Sequence, residues 1–262
     1  MKLSVIVTSF LRPHLLQWFF TSFKRQVFNC DYEILVLNDG IHDDTEAVCK
    51  QFSNDLNIKY IFTGQRNTNS ELVWRCPAFA LNIGFKKSEG DVVILSCAEM
   101  FLLNQCIQPM LDCMETSKRH FVTTDGRNDI SGRYLELVTA SNGWYDMELY
   151  HDPCMVKLDT ALPFFMAVKR KEVFAIGGYD EDFTGFAYDD TDFIHRLKRN
   201  GLTMSQLVQC KVIHLYHLRD RIGIDRTVQI KYNRNLYQTR INTIIRNQGR
   251  NWGCMDHSLR PL

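Results

Sequence analysis

Three aspartates, Asp189, Asp190 and Asp192, stand close together in the second half of the chain. They follow a glycine- and aromatic-rich stretch at 177–188 and precede 193–197, a segment typical of a helix. Carboxylates this close cannot all stay ionised at low cost, so one of them is expected to have a raised pKa or to share a proton or a cation. Such a carboxylate can serve as a general base. The alternative is structural, because the amides and dipole of a first helical turn favour acidic residues, and we interpret Asp192 as such a helix cap.

Two histidines, His214 and His217, lie at the end of a predicted strand at 211–215. A neutral imidazole is a common metal ligand, although a single histidine is more often a structural residue. Ligands of parallel sheets gather beyond the carboxyl ends of the strands, and this pair lies at such an end. The pair is therefore a candidate metal site.

The composition predicts a globular protein with a sizeable core. Of the 262 residues 45% are hydrophobic, which is enough for one large α/β domain or two small ones. A formal net charge of +1 argues against a nucleic-acid-binding protein that is basic throughout. From residue 219 to the end, however, nine Lys and Arg stand against three Asp. Positive charge is concentrated in this C-terminal tail.

The spacing of the cysteines and the length of the apolar segments indicate the cellular compartment of the protein. Nine cysteines occur at irregular spacing without a CxxC pair. This pattern indicates reduced thiols rather than a disulfide framework or a zinc site, and hence a reducing compartment. No apolar run reaches the roughly 18 residues that span a bilayer, and the run at 1–7 is too short and too β-branched for a signal peptide. We expect a soluble, cytoplasmic protein.

Short β-branched segments alternate with helical patterns in the first half of the chain. The strand segments lack polar alternation, as expected for strands buried on both faces of a sheet. Strands are predicted at 3–8, 32–37, 58–62 and 92–95, with helices at 13–26, 44–52 and 77–87. This alternation predicts a doubly wound parallel sheet. Later strands are expected at 164–168 and 211–215, with loop-rich sequence at 123–160.

Polar residues follow three of the predicted strands. The loops at 8–13, 38–40 and 96–99 come after the first, second and fourth strands. Because the ligand of such a sheet sits beyond the carboxyl ends of its strands, all three loops are expected to line one pocket. Neither GxGxxG nor GxxxxGK[ST] follows any strand, so the sequence supports neither a dinucleotide fingerprint nor a P-loop.

Over roughly residues 3–218 the chain resembles the family-2 glycosyltransferases of GT-A fold. The motifs that carry the resemblance lie, in order, at 4–13, 37–40, 80–84, 89–91 and 94–99. The second half resembles galactosyltransferase-like enzymes, since 185–192 matches their Gly-Trp-Gly-x-Glu-Asp-Asp-Asp pattern. The resemblance implies an α/β GT-A fold, Rossmann-like, with a mostly parallel sheet flanked by helices. It also implies an inverting, Leloir-type transfer from a nucleotide sugar, expected to be UDP-linked.

The resemblance places a nucleotide-sugar site in the half of the domain at 1–105. Asp39 would accept a hydrogen bond from the base or the ribose, the alternative being an Asx-turn that closes 38–40. Arg75 would reach the diphosphate, the alternative being an exposed surface position. The other residues assigned to this site are Thr8, Ser9, Phe10, Arg12, Asn82, Cys97 and Ala98.

A metal site is implied in the same way. Glu99 falls where the family has the last acid of its Asp-x-Asp, with Cys97 in place of the first acid. Mn²⁺ or Mg²⁺ prefers oxygen ligands, so the site would rely on Glu99, a histidine and the diphosphate, and the thiol leaves metal dependence open. The segment from His217 resembles the galactosyltransferase metal-ligand segment, whereas the strand alignment favours His214. We place His217 first.

Asp190 matches the base of the inverting enzymes. It would take the proton of the acceptor hydroxyl as that oxygen attacks the anomeric carbon. Asp189 would hydrogen-bond the acceptor, and Phe186, beside Gly185, would offer a stacking face. Paired carboxylates also occur in glycoside hydrolases, but a hydrolase explains neither the Asp39 loop nor the order of the predicted sheet.

The acceptor half of the domain is expected at 106–218, followed by a basic, largely helical extension at 219–262 with its helix at 225–249. A saccharide or glycan is the first expectation for the acceptor. Modified nucleic acid, or an anionic membrane surface to which the extension attaches the protein peripherally, is the alternative that the basic residues suggest. A nucleotide-sugar-binding protein without catalytic activity is a further alternative.

Overall fold

A mixed sheet with helices on both faces forms the body of the protein. The computed structural model describes residues 1–64, 76–116, 119–144, 146–218 and 226–255. Within these residues the strands are β1 Leu3–Ser9, β2 Tyr32–Asn38, β3 Ile58–Phe62, β4 Val92–Cys97, β5 Met100–Leu102, β6 His120–Asp129, β7 Met155–Lys157, β8 Phe165–Lys169 and β9 Thr203–His214. The helices are α1 Pro13–Phe23, α2 Thr45–Phe52, α3 Ala78–Lys87, α4 Ile107–Thr116, α5 Arg133–Ala140, α6 Arg170–Ala175, α7 Asp189–Arg199 and α8 Arg226–Arg240, with a 3₁₀ turn at Glu148–His151.

The strand order is β3-β2-β1-β4-β8-β6-β9-β5, and β7 pairs with β6. The first four strands in this order are mutually parallel, as the alternation of strands and helices predicted. The second half departs from the parallel pattern, because β8 runs antiparallel to both β4 and β6. Strands β6 and β9 are parallel to each other, with a register irregularity at Thr124/Asp125. The carboxyl ends of β1, β2 and β4 therefore share one edge of the sheet.

Burial on both faces explains why the first strands lack polar alternation. Val5 and Val7 of β1 pack in the core that α1, α2 and α4 cover, whereas Ile6 packs on the opposite side with α3, α6 and α7. All three side chains are fully buried. A strand with apolar contacts on both sides has no solvent-facing position for a polar residue.

Two predictions about secondary structure were wrong in part. The stretch at 123–160, expected to be loop-rich, contains most of β6 and all of α5. The sequence pattern did not predict this strand because β6 contains polar residues, of which Thr123 and Thr124 are buried. The helix expected at 225–249 is shorter, because α8 ends at Arg240 and the chain then turns through Asn247, whose φ is +55°. Within the described residues no helix is both long enough and apolar enough to cross a bilayer.

The described part of the C-terminal extension is packed into the domain. Tyr237 of α8 and Trp252 belong to the core beside α3 and α7. Asn247 is buried and donates to the carbonyl oxygens of Gly177 and Tyr179 at 2.9 and 2.6 Å. The division of the chain at residue 219 remains a prediction, since 219–225 lie outside the described residues. Residues 226–255 nevertheless complete the core on this face of the sheet.

A buried ionic network joins this C-terminal segment to α7. Asp192 accepts from Arg196 Nε at 2.6 Å and from Arg246 Nη2 at 2.7 Å. Arg246 Nε also lies 2.9 Å from Asp180 Oδ2, and Arg196 donates to two backbone carbonyls. Asp192 is 1% exposed, Arg196 2% and Arg246 4%. These charges are tolerated because each has a partner of opposite charge.

We expect Arg246→Met to lower the free energy of unfolding by about 3–5 kcal/mol, because it removes one cation from a buried network and leaves its carboxylates short of a partner. The control is Lys50→Met, which removes a cation from the exposed pair with Glu46 on α2. Exposed pairs contribute little, so this control should change stability only slightly. Urea unfolding measures both variants. Equal, small effects would mean that the Arg246 network does not hold the C-terminal segment in place.

Candidate active site

Three loops meet at the carboxyl edge of the parallel strands, as the sequence predicted. The amide of Asp39 donates to the carbonyl oxygen of Ser9 at 2.8 Å, and the amide of Ala98 donates to that of Thr8 at 3.0 Å. The loops that follow β1, β2 and β4 are thus joined by backbone hydrogen bonds. Of the side chains assigned here, Thr8 and Phe10 are partly buried. Ser9 is buried, and its hydroxyl lies 3.1 Å from that of Thr45.

Asp39 is buried beside the residue that follows β3. Its carboxylate accepts from the Thr63 hydroxyl at 3.0 Å, and the side chain is 3% exposed. Gly40 follows with a φ of +97°, a conformation that glycine adopts readily. Thr63 was missed at the sequence level, although its place one residue after β3, at the same sheet edge, was a usable signal. The Thr63 hydroxyl thus fixes the Asp39 carboxylate at the carboxyl edge of the sheet.

Beside them, Arg12 joins the β1 loop to the β4 loop and to the end of β9. Its Nε lies 3.1 Å from Glu99 Oε1, and its Nη2 lies 3.1 Å from His217 Nδ1. His217 Nε2 lies 3.8 Å from the same Glu99 oxygen. The preceding Leu11 has a φ of +55°, which is uncommon for a residue other than glycine. Glu99 and His217, two predicted metal ligands, therefore do lie side by side, with Arg12 against both.

The charges around Glu99 decide its protonation. Burial alone would raise the pKa of the Glu99 carboxyl, but His217, His214 and Arg12 outweigh it, and the pKa lies below its usual value. The thiol of Cys97 behaves in the opposite way. Burial and then the Glu99 carboxylate raise the pKa of Cys97 well above its usual value. Glu99 is therefore an anion next to a neutral thiol.

The donors at this place do not fit a divalent cation in the arrangement described. Glu99 is already paired with the Arg12 guanidinium, and a protonated thiol at Cys97 is a poor ligand for a hard cation. His214 Nδ1 lies 3.1 Å from the amide oxygen of Asn128. Over the described ranges, no group of three His, Cys, Asp or Glu side chains is arranged to hold a metal. The groups that act on the Glu99 charge are His217, His214 and Arg12, in that order, and not a cluster of carboxylates.

The second half of the site is the N-terminus of α7. Asp189 is its first residue, 7% exposed, and one carboxylate oxygen accepts from the Cys76 thiol at 3.1 Å. Asp190 is partly exposed and accepts from the Tyr179 hydroxyl at 3.0 Å. Tyr179 is fully buried and stacks on Phe193, with ring centroids 4.2 Å apart. A rigid phenol therefore orients the Asp190 carboxylate.

Burial gives these carboxyls the raised pKa that the sequence suggested. Burial and then the Asp189 carboxylate raise the pKa of Asp190 well above its usual value, and the Tyr179 hydrogen bond offsets only part of this. Burial also raises the pKa of Asp189, although the Cys76 thiol and nearby amides oppose it. The Asp190 charge contributes to raising the pKa of Cys97 as well. The α7 terminus and the β4 loop are thus within electrostatic reach of each other.

The loop ahead of α7 presents an aromatic ring to solvent. Phe186 is 43% exposed, next to Gly185 with a φ of +63°. The two residues after Phe186, Ala187 and Tyr188, also have positive φ, at +74° and +71°. The loop thus exposes one large ring beside the two aspartates, where a sugar can stack.

Two sequence-level assignments, Asn82 and Asp192, differ from the contacts that the structure gives. Asn82 is fully buried, and its side chain bonds to the backbone of Tyr179 and to Glu181, so it supports the fold instead of lining the site. Asp192 is not a helix cap, since it pairs with Arg196 and Arg246. Arg75 lies outside the described residues. Ala98 is buried and takes part in the site through its backbone.

Two further residues of the site were missed at the sequence level. Tyr179 and Cys76 touch the aspartates from 11 and 113 positions away. Tyr179 lies in the glycine- and aromatic-rich stretch at 177–188. A tyrosine at this place does not by itself indicate a contact with Asp190. Cys76 carried no signal beyond being a thiol, since its contact depends on how α3 packs beside α7.

Two family profiles match the chain over most of its length. The profile of glycosyl transferase family 2 matches residues 4–169, and that of the N-terminal domain of galactosyltransferase matches residues 156–220. Chondroitin synthase of Escherichia coli is 22% identical over 229 residues, which are 76% of this chain and 32% of that protein. Hyaluronan synthase of Pasteurella multocida is 34% identical over 232 residues, 76% of this chain and 23% of that protein. The chain spans about a third or less of these curated relatives.

Solved structures share the fold. S. aureus TarS 1–349 in complex with UDP superposes with a TM-score of 0.60 at 17% identity, covering 81% of this chain and 60% of that one. The mannosyltransferase PcManGT from Pyrobaculum calidifontis, in complex with GDP-Man and Mn²⁺, gives 0.58 at 15% identity, covering 83% and 57%. The GT-A fold expected from the sequence is confirmed.

The raised pKa of Asp190 predicts a pH dependence of stability. A carboxyl whose folded-state pKa is raised above the usual 3.8 holds its proton longer when folded, so stability is lost as pH rises from that value through the folded-state pKa. Asp190→Asn does not titrate and keeps an acceptor for Tyr179. We expect it to gain stability relative to the wild type as pH rises from about 4 to 8.

Urea unfolding across this pH range measures the difference. Asp31→Asn, a substitution of the same type at an exposed position, is the control. A gap between Asp190→Asn and the wild type that does not change with pH, or that changes equally in the control, would contradict the prediction.

Proposed function

The chain belongs to glycosyl transferase family 2, and we propose that it transfers a sugar from a UDP-sugar to a hydroxyl group of a saccharide with inversion at the anomeric carbon. The observation that carries this proposal is the partly exposed Asp190 carboxylate, oriented by Tyr179 and kept at a raised pKa beside Asp189. A carboxylate with a raised pKa is a better general base than an ordinary one. It lies at the helix end that faces the β4 loop.

Asp190 would take the proton of the acceptor hydroxyl while that oxygen attacks the anomeric carbon from the face opposite the leaving diphosphate. The bond from the anomeric carbon to the diphosphate oxygen breaks as the new glycosidic bond forms, and UDP leaves with that electron pair. Asp189, held by Cys76, would accept a second hydrogen bond from the acceptor. Phe186 offers the apolar face against which a sugar ring stacks.

The donor would bind across the three loops at the sheet edge. Asp39, fixed by Thr63, is suited to accept from a base or a ribose hydroxyl. Arg12 is suited to pair with the diphosphate, because a guanidinium binds phosphate oxygens through two parallel hydrogen bonds. The choice of UDP is supported by the solved structures of S. aureus TarS with UDP and with UDP-GlcNAc. The mannosyltransferase with GDP-Man makes GDP the principal alternative.

A polysaccharide chain is the acceptor that the relatives favour. Chondroitin synthase and hyaluronan synthase are named for the polysaccharides they make, and this chain aligns with less than half of each. Phe186, 43% exposed beside Asp190, gives the acceptor sugar a surface at the point of reaction.

Arg12 supplies a charge that a divalent cation commonly supplies in this fold. It pairs with Glu99 through Nε, while His217 and His214 also stabilise that carboxylate, and it lies at the loop where the diphosphate would sit. A fixed guanidinium can stabilise the negative charge that grows on a leaving phosphate oxygen. The expectation of Mn²⁺ or Mg²⁺ is therefore replaced by the proposal that Arg12 carries this part of the reaction.

We expect Asp190→Asn to lower turnover by about 100-fold or more, because removing a general base costs 10²–10⁴ in rate. UDP affinity should stay within about threefold of the wild type, since the Asp190 carboxylate bonds to Tyr179 and not to a donor-loop side chain. UDP release is measured with UDP-GlcNAc, UDP-GalNAc, UDP-glucose and UDP-glucuronate against chondroitin and hyaluronan oligosaccharides. UDP affinity is measured by calorimetry, with GDP as the alternative ligand.

Asp31→Asn serves again as the exposed control and should match the wild type. Full turnover in Asp190→Asn would remove Asp190 as the base. UDP binding by the wild type without turnover on any acceptor would favour the binding protein without catalytic activity. No binding of UDP or GDP would remove the transferase proposal altogether.

We expect UDP affinity to be the same in Mn²⁺ and in EDTA within about threefold, and Arg12→Ala to weaken it by about 10-fold or more in both. The physical reason is that a charged hydrogen bond to phosphate is lost while no cation site is disturbed. Arg199→Ala, an exposed arginine at the far end of α7, is the control. Binding that appears only with Mn²⁺ would show that a metal displaces Arg12 from Glu99.

A further inference from the structure

One asparagine of α8 makes four hydrogen bonds to the loop in front of α7. Asn233 is 1% exposed. Its amide nitrogen lies 2.7 Å from the carbonyl oxygen of Thr184, 2.9 Å from that of Phe186 and 3.0 Å from that of Ala187. Its side-chain oxygen accepts from the amide of Thr184 at 3.2 Å. A single side chain thereby binds half of the backbone N–H and carbonyl groups at 184–187.

The backbone conformation of the loop at 184–188 depends on contacts from outside the loop. Gly185, Ala187 and Tyr188 all have positive φ, and for the last two the conformation is rare and costs free energy. Two adjacent residues of this kind persist only where surrounding contacts determine them. The contacts described above come from Asn233, which lies on α8, 46 positions along the chain from Ala187.

Other side chains of α8 close the same loop. Arg234 Nε donates to the Tyr188 hydroxyl at 2.8 Å. A Cβ at Gly185 would meet the end of the Gln229 side chain of α8, and the φ of +63° at this position favours glycine. The helix covers the loop along more than one turn.

The loop runs directly into the two aspartates. Tyr188 is the residue before Asp189, and its carbonyl oxygen accepts from the amide of Asp192 in the first turn of α7 at 2.8 Å. Any rotation of the backbone at Ala187 or Tyr188 changes where Asp189 and Asp190 point. The same rotation would displace Phe186, because the Phe186 carbonyl oxygen is bound to the Asn233 amide.

We propose that Asn233 is a positioning residue for the transfer reaction, which acts by fixing the loop at 184–188 and so the direction of Asp190 and Phe186. This inference rests on the proposed function for its catalytic part. It assigns to the basic C-terminal segment a role within the active site. The amide is required because the loop presents three carbonyl oxygens and one backbone N–H. A primary amide has an oxygen that accepts from the N–H and two N–H donors, one of which is shared between two of the three carbonyl oxygens.

The test compares Asn233→Ala and Asn233→Asp with Asn235→Ala. Asn235 is an exposed residue of the same type two positions along α8. Asn233→Asp has nearly the same shape but places a carboxylate against three carbonyl oxygens, so it should behave like the alanine variant. Hydrogen–deuterium exchange of peptides covering 184–192 reports on the loop. UDP calorimetry reports on the donor site, and UDP release from the UDP-sugar that the wild type uses best reports on turnover.

We expect both Asn233 variants to exchange faster at 184–192 and to lose about 10-fold or more in kcat, with UDP affinity within about threefold of the wild type. The acid limb of the pH–rate profile should move to lower pH, because a loosened loop exposes Asp190 and lets its pKa fall toward the usual value. The Asn235 control should leave all four measurements unchanged.

Unchanged exchange at 184–192 in both Asn233 variants would overturn the proposal. So would a loss of turnover with an unmoved pH profile, or a fall in UDP affinity that parallels the fall in kcat. If the wild type neither binds nucleotide nor releases UDP, the proposed function fails. In that case the hydrogen–deuterium exchange of peptides covering 184–192 still shows whether Asn233 holds the loop at 184–188 in place.

Discussion

The paired charges of Asp192 with Arg196 and Arg246 are the contact on which the catalytic end of the molecule depends. Asp192 is in the first turn of α7, and both arginines reach it within hydrogen-bond distance in a buried setting. Arg196 also binds the carbonyls of Ile176 and Gly178, and Arg246 contacts Asp180. The same few atoms therefore hold α7, the glycine turn ahead of it and the C-terminal segment. Removing one charge would leave the others buried without balance.

This network makes an unfavourable arrangement possible. Asp189 and Asp190 are neighbouring carboxyls whose pKa values burial raises, and the loop ahead of them contains two non-glycine residues of positive φ. Neither feature stabilises the fold, and both lie where the proposed general base and acceptor surface are. Strain at functional sites persists only when the surrounding structure determines it. Asn233 and the arginine network supply that surrounding structure.

The sequence predicted what depends on local pattern. Strand β1, helix α1, the three loops at the sheet edge and Asp190 at the start of α7 all follow from residue types within a short window. Contacts between distant residues were not visible. Thr63 at Asp39 and Asn233 at the loop depend on packing, and Asn82 was assigned to the donor site although a motif position says nothing about which way an amide points. Asp192 looked like a cap because its partner Arg246 lies 54 positions away.

The Arg12–Glu99 pair shows how one contact can change the chemistry implied by a motif. A carboxylate after β4 suggests a cation site, and the histidines at the end of β9 strengthen that suggestion. The guanidinium of Arg12 lies against Glu99 and His217 together, and the thiol of Cys97 remains neutral. A cation that is part of the chain does not dissociate, and it carries hydrogen-bond donors in a fixed plane. Such a site would neutralise a diphosphate with a charge that is fixed during folding, whereas a metal site needs several oxygen ligands that this loop does not bring together.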